Sequence, residues 1–185
     1  MKTVSISGFL VFAFAISAIL VGCGADGQSP EGSSEAQTSN EQGMQGTRDA
    51  GVCQLPIGHT TVTIDGTPVD VVIPTDKYSG DLLVFHPWNE SRTEWCDHAR
   101  LCAMATERGF RVIMPEMGKS IYSQAIYPET REDWKAYPTM EWVKGTLIPE
   151  LRDRYCLLKV DGQNFVLGAS AGARGAILLA EELPE

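Results

Sequence analysis

The stretch that decides the fold is Asn164-Phe165-Val166-Leu167-Gly168-Ala169-Ser170-Ala171-Gly172-Ala173-Arg174-Gly175. A short, mostly apolar run of strand character leads straight into Gly168-x-Ser170-x-Gly172, and Ala173 to Glu182 then reads as a helix. A strand that turns sharply into a helix around a serine is the setting of a nucleophile elbow. The turn is tight enough that the positions two before and two after the serine must be nearly free of side chain, and here they are Gly168 and Gly172. Ser170 is expected at the tip, its hydroxyl exposed at the positive end of the following helix dipole. The Ala171 N–H is expected to point at a developing oxyanion.

Upstream, Leu82-Leu-Val-Phe-His86 is a continuous apolar run, as for a strand covered on both faces. It runs into His86-Pro87-Trp88-Asn89. A second oxyanion donor in such a site comes from the loop after this strand. Pro87 has no N–H, so the Trp88 amide is the expected donor, and the Trp88 ring a wall of the acyl pocket. His86 is expected to pack the loop without acting on substrate. Ser91-Arg-Thr-Glu94 has the spacing of a capping box and predicts a helix of roughly four turns ending at Arg108-Gly109. Arg111 to Met114 reads as another buried strand. Tyr122 to Tyr137, with three Tyr and Trp134, reads as a long structured connection. Thr139 is placed to cap a helix that Pro149 should bend. Thr60 to Ile64 and Val69 to Ile73 predict a hairpin around Asp65-Gly66, slightly lengthened by Thr67-Pro68. A hairpin followed by β-α-β-α-β-α predicts an α/β fold with a mostly parallel sheet, whose ligand site lies at the carboxyl ends of the strands.

From about Val69 to Pro184 the chain resembles the esterase D branch of the α/β-hydrolase superfamily. The resemblance rests on Leu82 to His86, Arg108-Gly-Phe-Arg-Val-Ile-Met-Pro115, Thr146 to Leu151 with Tyr155, and Phe165 to Gly172 with Gly175-Ala176. Members commonly have Gly-x-Ser-x-Gly-Gly, and Ala173 departs from that. The resemblance implies hydrolysis of a small-molecule carboxylic ester by a Ser-His-Asp triad, with Ser170 forming an acyl-enzyme and with no cofactor.

In this architecture the acid and the histidine follow the serine. Only 15 residues follow Ser170, and they contain no Asp and no His. His59, His86 and His98 precede it, and none is a convincing base. The expectation is therefore a partial α/β-hydrolase fold lacking its C-terminal strands, cut short after the elbow, with impaired esterase activity and Asn164 to Leu167 left as an apolar edge. Two other readings compete. One is a non-catalytic, surface-anchored binding module of hydrolase shape. The other is an NAD(P)-binding turn of the short-chain dehydrogenase type, which Arg174 opposes by standing where a glycine belongs.

The chain has 185 residues and a formal net charge of −9, which argues against nucleic acid as a partner. Residues 1–22 read as a signal peptide: Lys2, an apolar run from Ile6 to Val21, then Leu20-Val21-Gly22-Cys23. That last motif resembles a bacterial lipobox, which implies that Cys23 becomes the first mature residue and carries a lipid such as palmitate. The chain would then be exported to the cell envelope and held to a bacterial membrane through that anchor. Residues 23–51, rich in Gly, Ser, Gln and Glu, read as a flexible tether, and 52–185 as the folded domain. Exported domains admit disulfides. With Cys96 and Cys102 on one helix their Cα atoms would lie about 9 Å apart, beyond a bridge, so pairing with Cys53 or Cys156 is expected. Cys96-Asp97-His98 does not converge as a metal site on a helix. The oligomeric state is not legible.

Overall fold

A computed structural model describes residues 10–13, 53 and 55–183. Cys23, the tether and the remainder of the expected signal peptide lie outside the described residues.

The hairpin forms from β2 (Gly58–Ile64) and β3 (Thr67–Ile73), paired antiparallel from Gly58↔Ile73 to Ile64↔Thr67. Asp65 and Gly66 are the whole turn, with φ of 48° and 77°, the two positive values a type I′ turn requires. Thr67 and Pro68 are already strand, so the turn is shorter than expected. The parallel part consists of β4 (Gly80–Phe85), β5 (Phe110–Pro115) and β6 (Asn164–Gly168). A further strand, β1 (Leu10–Ala13), pairs parallel with β6 from Leu10↔Phe165 to Ala13↔Gly168. The sheet order is β1-β6-β4-β5-β3-β2. The expected edge at β6 is thus covered: four residues of the stretch read as a signal peptide enter the sheet. An apolar run meeting an unpaired strand edge has the means to satisfy it.

Helices lie on both faces of the sheet. On one face Leu83, Ile113 and Val166 pack with Met140, Val143, Leu147, Leu151 and Leu179, all buried. On the other, Val84, Val112 and Met114 pack with Ala105 and the half-buried Trp95, Cys96 and Cys102. This is the α/β architecture read from the sequence, a partial α/β-hydrolase fold with a mostly parallel sheet.

Two helices differ from expectation. The single helix predicted after Ser91 is broken into α1 (Glu94–Asp97) and α2 (Leu101–Glu107), because Arg100 takes a left-handed conformation at φ 54°. Ser91 accepts a 3.3 Å bond from the Thr93 N–H instead of capping the helix at Glu94. The break folds the chain back, so Cys96 and Cys102 come to 5.0 Å between Cα atoms and form a disulfide. The 9 Å separation applied only to an unbroken helix, so the expectation that these two do not pair is overturned. Cys53 pairs with Cys156, at 5.3 Å. The second helix runs from α3 (Met140–Trp142) through a π segment (Val143–Leu147) into α4 (Ile148–Tyr155). Pro149 has no N–H to give Gly145 and its ring crowds that carbonyl, so the turn before it widens and the helix does not end. Thr139 makes no side-chain capping bond. The elbow helix is α5 (Ala171–Glu182).

One buried charge joins the strands at the end opposite the elbow. Asp81 on β4 is fully buried and accepts from Arg111 Nε at 2.5 Å and Nη2 at 2.7 Å, and from the Leu158 N–H at 2.6 Å. Asp81→Asn removes the charge and leaves Arg111 without its partner. It should cost roughly 3 kcal/mol, read as a lowered midpoint of chemical denaturation.

Candidate active site

Ser170 stands between β6 and α5 with φ 52° and ψ −120°, a strained backbone costing on the order of 1–3 kcal/mol for a non-glycine residue. It is exposed, while Gly168 and Ala169 before it and Gly172 after it are buried. The reason for both glycines is steric. A Cβ on Gly168 would run into the Gly172 backbone, and one on Gly172 would run into the Phe85 and His86 carbonyls. The same closeness brings the two halves of the expected site together: the start of α5 packs on the end of β4, where the His86–Trp88 loop begins. The N–H groups of Ala171 and Trp88 take no backbone hydrogen bond among the described residues, as two oxyanion donors require. Trp88 is 44% exposed, so its ring is open to a substrate.

His86 is buried and tied up. Its Nδ1 meets the Pro87 carbonyl at 2.7 Å, and its Nε2 accepts the Met117 N–H at 2.8 Å. A carbonyl can only accept and an amide only donate, so Nδ1 carries the proton and neither nitrogen is left for Ser170. His59 pairs with Asp70 at 3.3 Å and His98 faces Glu94 at 3.8 Å. No described histidine is placed as the base.

Two residues escaped the sequence reading. Tyr122, with φ 52°, donates its hydroxyl to the His86 carbonyl at 2.8 Å, and its ring fills the space that a side chain at Gly175 would need. Burial pushes the Tyr122 hydroxyl pKa up, so it stays a donor. Arg174 donates through Nη1 to the Ile121 and Tyr122 carbonyls at 2.7 and 2.6 Å, which pins this loop to the elbow helix. The position that opposed a nucleotide turn therefore has a local structural task. The abundance of Tyr between Tyr122 and Tyr137 was the only sequence signal.

Glu116 follows β5 and faces the same loop. Burial opposes its ionisation, but the N–H groups of Arg92 and Gly118 outweigh that and hold its carboxyl below the usual carboxylate range. Because His86 Nε2 already accepts from Met117, the two amides and the Arg92 guanidinium at 3.3 Å carry that stabilisation.

No family model matches the chain, and no curated protein matches it. Solved structures do. Fluorophosphonate-binding serine hydrolase F of Staphylococcus aureus superposes with a TM-score of 0.52 at 18% identity, over 66% of this chain and 51% of that one. An S-formylglutathione hydrolase from Agrobacterium tumefaciens aligns over 70% of this chain and 55% of its own, at 14% identity and TM-score 0.49. A ferulic acid esterase aligns over 67% and 54%, at 15% and 0.49. The chain spans about half the length of these structures. At these identities the likeness establishes the fold, and the first of the three carries it.

The Glu116 pKa has a consequence for stability. A carboxyl held below its ordinary value stabilises the fold above about 4.5, and that stabilisation is lost as pH falls toward about 2. Between those limits the wild-type chain should lose more stability than Glu116→Gln. Urea unfolding of both proteins at a series of pH values reads the difference.

Proposed function

We propose that this chain carries the nucleophile-bearing part of a serine carboxylic-ester hydrolase. The observation that carries the reading is the Ser170 turn itself: a strained, exposed serine between β6 and α5, beside two N–H groups without backbone partners. Ser170 Oγ bonds to the ester carbonyl carbon, and the negative charge that develops on the carbonyl oxygen is met by the N–H groups of Ala171 and Trp88. The carbon–alkoxy bond then breaks, the alcohol leaves with a proton, and an acyl-Ser170 ester remains for water to release.

No Asp or His follows Ser170 in this sequence, and the earlier histidines are engaged elsewhere. For these residues by themselves the hydroxyl proton goes to solvent, and the turn and the donors act without a base. What remains is the contribution of the turn and the oxyanion donors, which in triad hydrolases stripped of a triad member is about 10³–10⁴ over water.

The setting we propose is the envelope of a bacterium, with the domain held to the membrane through lipid on Cys23 and a tether to about residue 51. The two disulfides support it, since such bridges persist in oxidising compartments. The second reading, a binding module without turnover, is favoured by the same lack of acid and base.

An aryl fluorophosphonate followed by intact-mass analysis separates the two. The wild-type chain should form a slow, single adduct on Ser170 that Ser170→Ala abolishes, with little turnover of a short-chain nitrophenyl ester. An adduct rate equal to that of Ser170→Ala would establish the non-catalytic module. Rapid ester turnover lost in Ser170→Ala would overturn the impairment.

A further inference from the structure

Beside the oxyanion loop lies a charge arrangement for which the chemistry at Ser170 has no direct use. Arg92 sits at the end of the loop that carries Trp88. Its Nε stands 3.0 Å from Asp70 Oδ2, an ion pair whose N–H is not aimed as a linear hydrogen bond. Its Nη1 lies 3.3 Å from Glu116 Oε2, and its own backbone N–H reaches that oxygen at 3.4 Å. Asp70 is on β3 and fully buried, and Glu116 directly follows β5. Both carboxylates therefore belong to the sheet, while the guanidinium belongs to the loop.

The bracing continues past Arg92. Glu116 Oε1 accepts the Gly118 N–H at 3.1 Å, and the Gly118 carbonyl accepts the Asn89 N–H at 2.9 Å. Asn89, in a left-handed conformation at φ 61°, is the residue after Trp88. The loop is thus fixed at two points just past Trp88: at the Asn89 N–H through Gly118, and at Arg92 through one cation shared by two carboxylates. Without that cation Asp70 would keep only the Thr61 hydroxyl at 2.6 Å and His59 at 3.3 Å, and Glu116 its two amides, so a buried and a half-buried carboxylate would lose the arginine they share. A guanidinium can address two acceptors from one plane, whereas an ammonium on a lysine stem cannot hold both with the same geometry.

We propose that Arg92 is a positioning residue: by bridging Asp70 and Glu116 it sets the direction of the Trp88 N–H toward the oxyanion. This rests on the reading of Ser170 as nucleophile and deepens it. An oxyanion donor is worth its full effect only when already in place, and a displacement of about 1 Å is enough to lose most of it. Since no described histidine is placed as a base, acylation by these residues depends on those donors, so the effect of the loop is read directly.

The test compares rates of Ser170 adduct formation with an aryl fluorophosphonate in the wild-type chain, Arg92→Ala, Arg92→Lys and Asp81→Asn, each confirmed folded by near-ultraviolet circular dichroism. Asp81→Asn is the stability control, because its ion pair lies at the other end of the sheet. Arg92→Ala should slow labelling about tenfold to a hundredfold, Arg92→Lys should recover part of that, and Asp81→Asn should stay within about twofold of wild type. Amide hydrogen exchange at Asn89 should accelerate in Arg92→Ala and not in Asp81→Asn. Labelling in Arg92→Ala at the wild-type rate overturns the proposal, as does an equal slowing in Asp81→Asn. A wild-type chain with no adduct above Ser170→Ala removes the nucleophile reading alone. The Asn89 exchange then decides the bracing, and an unchanged rate in Arg92→Ala overturns it.

Discussion

The contact on which the candidate site depends is the approach of the α5 backbone to the end of β4. Gly172 lies so close to the Phe85 and His86 carbonyls that a single methyl group would not fit. That contact forces the chain to leave β6 in one step, places Ser170 at φ 52°, and aims the first turn of α5 at the loop after β4. The strain at Ser170 is offset by what surrounds it: a strand paired along its length with β4 and a helix with Ala176 and Leu179 buried in the main core. The backbone there is over-determined by packing, which is how a sparsely populated conformation persists.

A second constraint is electrostatic, and it acts at both ends of the sheet in different ways. At the N-terminal ends of the parallel strands Asp81 and Arg111 form a bidentate pair between neighbouring strands, a link within the rigid scaffold. At the other end Asp70 and Glu116 hold an arginine that is not on the sheet. The first stabilises the fold and leaves the site untouched, whereas the second transmits the order of the sheet into the loop that the chemistry needs. Buried charges are expensive, and a fold that keeps one where an apolar residue would pack uses it for geometry as much as for stability.

The strands β2 to β6 and the turn were legible because their signals are local, whereas β1 lay inside a run read as a signal peptide. Asp65-Gly66 specifies its hairpin, the apolar runs specify buried strands, and the spacing of Gly168 and Gly172 around Ser170 specifies the turn. What was not legible depends on residues far apart in the chain. The Cys96–Cys102 bridge needed the break at Arg100, which no propensity announces, since an arginine rarely takes a left-handed conformation. The π segment before Pro149 was half legible: the proline demanded a defect, and the packing of Val143, Leu147 and Leu151 decided that the helix would widen instead of bend. Tyr122, Glu116 and Arg92 carry no motif at all, because their partners are His86, Arg92 and Asp70, 24 residues away for the Glu116–Arg92 pair and 36 for the Tyr122–His86 bond.

The same separation of local and distant signals bears on the role proposed for Ser170. A nucleophile and its oxyanion donors can be built from one strand, one helix start and the loop of the adjacent strand, and this chain contains all three. A base is not built the same way, because a side chain already committed on both nitrogens, as His86 is, cannot also take the Ser170 proton. His86 is not a failed base but part of the support of the donor loop: protonation at Nε2 would cost it the Met117 N–H and bring a proton toward Glu116, 3.4 Å away. His86 is therefore spent on holding the loop after β4 in place. Electrostatic preorganisation and proton transfer are separable contributions to ester hydrolysis, and the described residues supply only the first.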